Sequence, residues 1–470
     1  MKVTIPNAFT PRDYQLPFMQ HFIGGRSDGR GKAAAWVVHR RGGKDFTGMH
    51  TLNVCAHRRR GAYWHTFPSF EQARKSIWEG FTRDGLRIID TVFPEPLISR
   101  RDNQQMVIEL KCGSIYRVIG TDRIETVGAG PVGVLHSEYS LAKPRAADLI
   151  APMLRENDGW EAYVYTPRGM NHGKRLFDRM KALQVTDPDR YFCDLKTLYD
   201  TRAYDPDRTI AEERARGRPE ALIRQEYLCD WAAANVGSVF GELLETLEKS
   251  GGLAEFDHDP AAPTFSVWDL GGAGAKGDAT AFWIFVPTVD GADLLDYYEN
   301  VGQPLSHYQD EMAKREEALG VKCVKHWLPH DATGMHLTGT SVLEQSVEHW
   351  TRSRVELVPR RGLLDGIQAG RWLLQRKVRI HPRCGEGIDA LKAYHYEWDD
   401  DRKTLSNAPA HDWSSHGSDA YKYLATVVRH SETMTRTRPQ KTAAEVIAEA
   451  TRPRTLDEMW AVQPRKSTRI

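Results

Sequence analysis

Three aspartates in the second half of the chain have the type and placement to hold metal ions. They are Asp269 in Val267-Trp268-Asp269-Leu270-Gly271-Gly272, Asp331 in His330-Asp331-Ala332, and Asp419 in His416-Gly417-Ser418-Asp419-Ala420. Cutting a phosphodiester with two divalent ions needs carboxylates that hold the ions about 4 Å apart, one ion activating water and the other stabilising the leaving oxygen. Alternation along 265–270 puts Phe265, Val267 and Asp269 on one face, so Asp269 follows two apolar residues to a strand edge, with Gly271 and Gly272 leaving room beside it. Asp331 ends a strand containing Val324 and Leu328. Asp419 is expected to open a helix whose Ala420, Tyr423, Leu424 and Val427 pack inward, which points the carboxylate out of the core. Taken singly, Asp269 reads as a turn former and Asp419 as a helix N-cap. Taken together, the three read as one catalytic set for two Mg2+ or Mn2+ ions. Asp278 is an auxiliary metal ligand or a turn residue with Gly277, and Glu299, at another strand end, is a candidate fourth acid. His411, Asp412 and His416 crowd Asp419, and with Ser414 and Ser415 they read as a polar loop.

The first half carries a different chemistry. A phosphate cradle needs small residues whose amides can face an anion, a lysine to reach the outer phosphates, and a helix with its positive end turned toward them. Arg41-Gly42-Gly43-Lys44, between a strand and a helix, supplies all three. The run departs from G-x-x-x-x-G-K-[ST], with Val38 at the first glycine and Asp45 where a hydroxyl would touch magnesium. The plain alternative is a basic turn with Asp45 as helix N-cap. A second apolar strand ends in His136-Ser137-Glu138, and Glu138 is placed to orient an attacking water, with Ser137 where aspartate is usual. A solvated surface acid is the competing reading. Thr166 to His172, after the next strand, forms a polar loop suited to sensing a γ-phosphate through Thr166 and Asn171. Gln15 can read an adenine edge with both ends of its amide, or it is a surface glutamine.

These groups need scaffolds, and the chain is long enough for two or three: at 470 residues it exceeds one ordinary core. Its 64 basic and 63 acidic residues leave a net charge of +1, so nucleic-acid contact must come from local patches. Six scattered cysteines without metal spacing read as reduced thiols, and no segment reads as a signal or membrane span. From 33 to about 200 apolar runs alternate with helical patterns, as in an α/β sheet: 33–38, 62–67, a hairpin about 112–113, 132–135 and 162–165. Residues 207–231 turn helical and charged. A linker with one short helix, 242–249, follows, and strands resume at 265–270, 279–286, 294–298 and 321–328, with helices at about 304–319, 365–376 and 418–429. From Arg436 to Ile470 there are eight Lys or Arg against four Asp or Glu, which reads as a basic tail.

In these motifs the chain resembles the large subunit of tailed-bacteriophage terminases. Arg40 to Lys44 is similar to that family's variant phosphate loop, Gly130 to Ser140 to its acid-bearing strand, and Thr166 to His172 to its coupling motif; the likeness runs through Arg224-Gln225-Glu226-Tyr227 to Tyr423. The resemblance implies a P-loop ATPase domain (1–205), a lid subdomain (206–235), a linker (236–263), a ribonuclease H-like nuclease domain (264–432) and a flexible basic tail (433–470). It implies a DNA-packaging motor in which ATP hydrolysis, with Mg2+, drives double-stranded DNA into a procapsid, and in which an endonuclease cuts the concatemer. The portal protein, the small terminase subunit and a homo-oligomeric ring on the portal are the implied partners. A monomer in solution and a host-cytoplasmic location, with transient residence at the portal vertex, complete the expectation. Glu125-Thr126-Val127-Gly128 lacks the arginine often found before that glycine, and Arg123 is the nearest substitute for an arginine finger. A helicase-nuclease of DNA repair is the alternative enzyme, though only one motor lobe is present. A DNA-binding scaffold without ATP turnover is the non-motor alternative.

Overall fold

Six consecutive buried residues, Ala33–Val38, form a strand covered on both faces, β1. Ala34, Trp36 and Val38 enter a core with Phe18, Met49 and Leu52, while Ala33, Ala35 and Val37 enter another with Leu176 and Phe177. The computed structural model describes residues 9–25, 27–121, 130–232, 237–271, 278–334, 340–399, 402 and 404–437, with side chains described to residue 430. Arg123, the 125–128 segment, Gly272, Gly277 and the tail beyond Thr437 lie outside the described residues.

In the first half β1 is joined by β2 (Ala62–Phe67), β3 (Ile98–Asp102), β4 (Val107–Leu110), β5 (Ile115–Gly120), β6 (Gly133–Ser137), β7 (Trp160–Tyr165) and β8 (Tyr191–Lys196). The sheet order is β3-β4-β5-β2-β6-β7-β1-β8. The six strands from β5 to β8 in that order pair in parallel, and β4 and β3 extend the edge antiparallel. The C-terminal ends of β6, β7 and β1 therefore lie side by side, with Glu138, Thr166 and the 39–44 loop just beyond them. Helices Pro206–Ala215 and Glu220–Leu228 pack through Ile210, Ile223 and Tyr227 onto Leu198, as the helical pattern of 207–231 predicts.

The second sheet contains β9 (Thr264–Asp269), β10 (Ala279–Thr288), β11 (Gly291–Val301), β12 (Cys323–Leu328), β13 (Arg354–Leu357) and β14 (Lys377–Ile380), in the order β13-β12-β9-β10-β11-β14. An antiparallel meander, β9-β10-β11, is flanked by β12 and β13 running parallel to β9, a ribonuclease H-like arrangement. The α/β expectation thus holds in both halves. Because β9 and β12 are neighbouring parallel strands, Asp269 and Asp331 emerge at the same edge. Helix Trp413–Thr437 lies across the β9 and β10 face, burying Ala420, Tyr421 and Leu424 with Val267 and Trp283. The stretch read as linker is partly core: Val239, Phe240, Leu244 and Leu247 are buried in that same cluster. No described helix is long and apolar enough to cross a membrane.

Candidate active sites on two sheet edges

At the end of β1 the chain turns through Arg41 and Gly43, both at positive φ (62° and 78°), into helix Lys44–Arg58. A Cβ at Gly42 would lie 2.5 Å from the Val38 side chain, so only glycine lets the loop close over β1. Gly43, in the left-handed region, is the helix N-cap. Asp45 is therefore not the cap but the second helical residue, which corrects that alternative. Its Oδ1 is buried with no hydrogen-bond partner. The first-turn amides of such a helix have no preceding carbonyl to bond, leaving donors for an anion.

Lys44 is buried and its Nζ lies 2.7 Å from Glu138 Oε1. Burial opposes the ammonium charge, but Glu138 and Asp45 more than offset it, so the lysine stays charged with its pKa above the ordinary range. Glu138 itself sits at φ 51°, a left-handed backbone that a glutamate adopts at a cost of about 1 kcal/mol or more. Ser137 donates no carboxylate here: its hydroxyl is 2.7 Å from His65 Nε2, in a buried chain that continues from His65 Nδ1 to the Tyr116 hydroxyl.

Thr166 Oγ1 donates to Val38 O (2.8 Å) and ties the end of β7 to β1. Asn171 caps helix His172–Thr186 by accepting from Gly173 N, and its amide donates to Ser140 O. Both residues sit where the loop reading places them, with their side chains already bonded within the chain. Gln15 is buried, not on the surface: its Oε1 accepts from Arg12 N at 2.8 Å and its Nε2 lies against Gly43. Sequence reasoning missed the neighbouring hub at Glu226. That buried carboxylate pairs with Arg40 (2.7 Å), Arg218 (2.8 Å) and Arg168 (3.6 Å), linking the phosphate loop, the helical segment and the β7 loop.

On the second sheet edge, Asp269 is pushed up to about 7. Burial is the main cause; His416, whose Nδ1 is 3.6 Å from Asp269 Oδ2, pulls it down, while the Asp419 and Asp331 charges push it up. An ion pair alone would depress the carboxyl, so burial and like charge outweigh the imidazole here. For His416 burial also works against the charge, yet Asp269, Glu299 and Asp278 together raise it above the ordinary range. The three aspartates thus share one electrostatic neighbourhood, and the half-buried Tyr423 hydroxyl, raised chiefly by burial, also feels all three.

Two expectations are corrected. Asp419 does not open a helix: the helix begins at Trp413, so Asp419 lies in its second turn and cannot be an N-cap. The cause is tertiary, since Trp283 Nε1 donates to Gly417 O at 3.0 Å and a Cβ at Gly417 would lie 2.5 Å from the Tyr297 hydroxyl. His411 and Asp412 do precede the helix, but Ser414, Ser415 and His416 belong to it. Asp419 pairs with the buried Lys422 one turn on, whose ammonium is also 3.0 Å from the Tyr394 hydroxyl. Asp331 lies in a short turn, His330–Thr333, and is exposed. Among the described residues, the aspartate carboxyls are not the tightest ligand group. Asp278, His411 and His416 are, each offering an atom within 4.8 Å of the others. Glu299 accepts from Lys143 Nζ (2.6 Å) and from the Tyr297 hydroxyl (2.5 Å), so its charge is already matched.

The donor sets fit metal ions on chemical grounds: a partnerless buried carboxyl oxygen at Asp45 beside the phosphate loop, and on the other edge a carboxyl whose charge is disfavoured by burial and by its acidic neighbours. No protein-family model matches the chain, and no curated protein does. Solved structures do. The large terminase of a thermophilic bacteriophage aligns over 89% of this chain and 100% of its own at 12% identity, with a TM-score of 0.37. The Thermus phage P74-26 large terminase ATPase domain covers 48% of this chain and 95% of its own at 19% identity (TM-score 0.37). The P22 large terminase nuclease domain covers 38% of this chain and 89% of its own at 14% identity (TM-score 0.27). The chain is similar to these large terminases.

Proposed function

We propose that the chain is a terminase large subunit, an ATP-driven motor that moves double-stranded DNA into a procapsid and cuts it with a metal-dependent endonuclease. The observation that supports this most is the pairing, in one chain, of a Lys44–Glu138 contact at a glycine-bearing loop with a second sheet edge bearing Asp269, Asp331 and Asp419. In this reading Lys44 and the 41–45 loop hold the nucleotide phosphates, Glu138 orients the attacking water, and Gln15, Thr166 and Asn171 line the same site. Asp269, Asp331 and Asp419 hold the ions of the nuclease. When bound, divalent ions would supply charge neutralisation at the phosphates and a more acidic water. The portal protein, the small subunit and a ring of copies at the portal vertex belong to the same proposal. ATP turnover with and without DNA, beside plasmid cutting in Mg2+ or Mn2+, tests it. Turnover without cutting, or cutting without turnover, would remove half of the assignment, and electron microscopy with a portal protein tests the ring.

A further inference from the structure

When water hydrolyses a nucleoside triphosphate, its oxygen attacks the γ-phosphorus and the bond to the bridging oxygen breaks, leaving its electron pair on the diphosphate. One water proton stays on the released phosphate and the other passes to solvent. Negative charge builds on the γ-phosphate oxygens on the way, and a cation beyond the loop lysine stabilises it. Arg168 has the placement for that cation. It follows β7, which lies between β6, the strand that delivers Glu138, and β1, the strand that runs into the phosphate loop. Its loop is tied on both sides: Thr166 Oγ1 donates to Val38 O at 2.8 Å and the Asn171 amide donates to Ser140 O at 2.8 Å. The backbone is thus set against the Lys44 and Glu138 ends of the site, and only the arginine side chain has to travel. Burial and, more weakly, the Arg168 charge oppose the Lys44 ammonium, which Glu138 and Asp45 favour, so the guanidinium already acts on that lysine.

Of the three arginines at Glu226, Arg168 is held least tightly. Arg40 (2.7 Å) and Arg218 (2.8 Å) both take Oε2, Arg218 has Glu213 as a second acid (3.1 Å), and the Arg40 amide also donates to Glu226 O (2.7 Å). Arg168 stands 3.6 Å from Oε1, beyond ordinary hydrogen-bond length, and its Nε is buried with no hydrogen-bond partner. A guanidinium is always charged and matches phosphate oxygens with two donors at once, so a loosely paired one goes to a phosphate in preference. We propose that Arg168 is a catalytic residue acting in cis: it leaves Glu226 and donates to a γ-phosphate oxygen of the nucleotide held by its own chain, an assignment that rests on the ATPase reading. The arginine neither gives nor takes a proton. Glu226 keeps Arg40 and Arg218 when Arg168 departs, so the hub survives the exchange.

The test uses the full chain and reads ATP turnover beside calorimetric binding of ADP in Mg2+, with and without aluminium fluoride as a mimic of the phosphoryl group in transit. Arg168→Ala is expected to lower kcat about a thousandfold while KM for ATP and the affinity for ADP stay within about threefold. It should also lose the tightening of ADP that aluminium fluoride gives the parent. Arg168→Lys, which keeps the charge without the fork, should recover about tenfold of the lost kcat, and it carries the test where the alanine variant melts lower than the parent. Chains with Lys44→Ala, which keep Arg168, should not rescue Arg168→Ala chains when the two are mixed. Rescue would place the arginine in trans and overturn the proposal, as would a loss of ADP affinity as large as the loss of turnover. Turnover in the parent that Arg168→Ala leaves unchanged overturns this assignment alone. A parent that neither binds nor turns over ATP overturns the ATPase reading and this assignment with it.

Discussion

Lys143 of the first half places its ammonium 2.6 Å from the carboxylate of Glu299 in the second; the carboxylate is buried and the lysine largely covered. Burial alone would raise the Glu299 carboxyl, and Lys143 and Tyr297 reverse that and bring it below its ordinary range. The same seam carries Trp413 Nε1 donating to Leu141 O at 2.8 Å and Arg175 paired with Asp389 at 2.5 Å. Residues 138–143 therefore run from the acid that touches Lys44 to the helix that carries His416 and Asp419.

Lys143→Met leaves a buried carboxylate without its cation and is expected to cost about 3 kcal/mol of stability. Lys143→Met combined with Glu299→Gln should recover most of that loss, because the desolvated charge is gone as well. Urea unfolding of the two single variants and the double variant measures the coupling, and strictly additive losses would show that the pair contributes no energy of its own.

At the phosphate loop, Lys44→Ala is expected to lower ATP turnover by about two orders of magnitude or more while plasmid cutting in Mn2+ continues. Glu138→Gln should lower turnover by about a hundredfold yet still bind ATP. Turnover and cutting are read on the same preparations, so a folding defect shows as loss of both.

Asp269 sets a pH dependence. An ordinary aspartate in the unfolded chain ionises near pH 4, whereas the folded carboxyl ionises at about 7, so the folded chain holds an extra proton between these values. Its contribution to stability is fully present below about pH 4 and is lost as pH rises through 7. Asp269→Asn should therefore be more stable than the parent at pH 8, by on the order of 2–4 kcal/mol, with the difference vanishing near pH 4. Metal-dependent stabilisation of the parent should grow across the same interval. Melting curves from pH 4 to 8, with and without Mn2+, decide both.

Asp419 behaves in the opposite sense without metal. Its carboxylate faces the buried Lys422 ammonium, so Asp419→Ala should cost about 2 kcal/mol while abolishing cutting. Adding Lys422→Met to Asp419→Ala should restore stability but not cutting. A stable single variant that still cuts would remove Asp419 from the nuclease.

Apolar periodicity placed β1, β2, β6, β7, β9 and β12 because each buries a continuous or alternating apolar face. It passed over β8, whose Tyr191–Lys196 residues are all half-buried, and the ribbon of Tyr396–Asp399 with Thr404–Pro409, which has little apolar pattern to read. The start of the last helix was illegible for a different reason. Ser414, Ser415 and Gly417 favour a loop locally, and it is the packing of Trp283 and Tyr297 against Gly417 that makes the segment helical. The loop carrying Lys44 was legible as a motif, whereas the Glu226 hub joins arginines up to 186 residues away in sequence and has no local signal.

If the 41–45 loop holds a nucleotide as proposed, the contact between Lys44 and Glu138 makes its affinity a contest between two anions. A tethered carboxylate competes at a high effective concentration, set by the fold and independent of how much nucleotide surrounds the protein. Any phosphate that takes the ammonium frees the glutamate in the same exchange, so in the proposed motor the group assigned to orient water is unmasked by the arrival of the nucleotide. It follows that Glu138→Gln, by weakening the internal rival, should tighten nucleotide binding while it slows turnover.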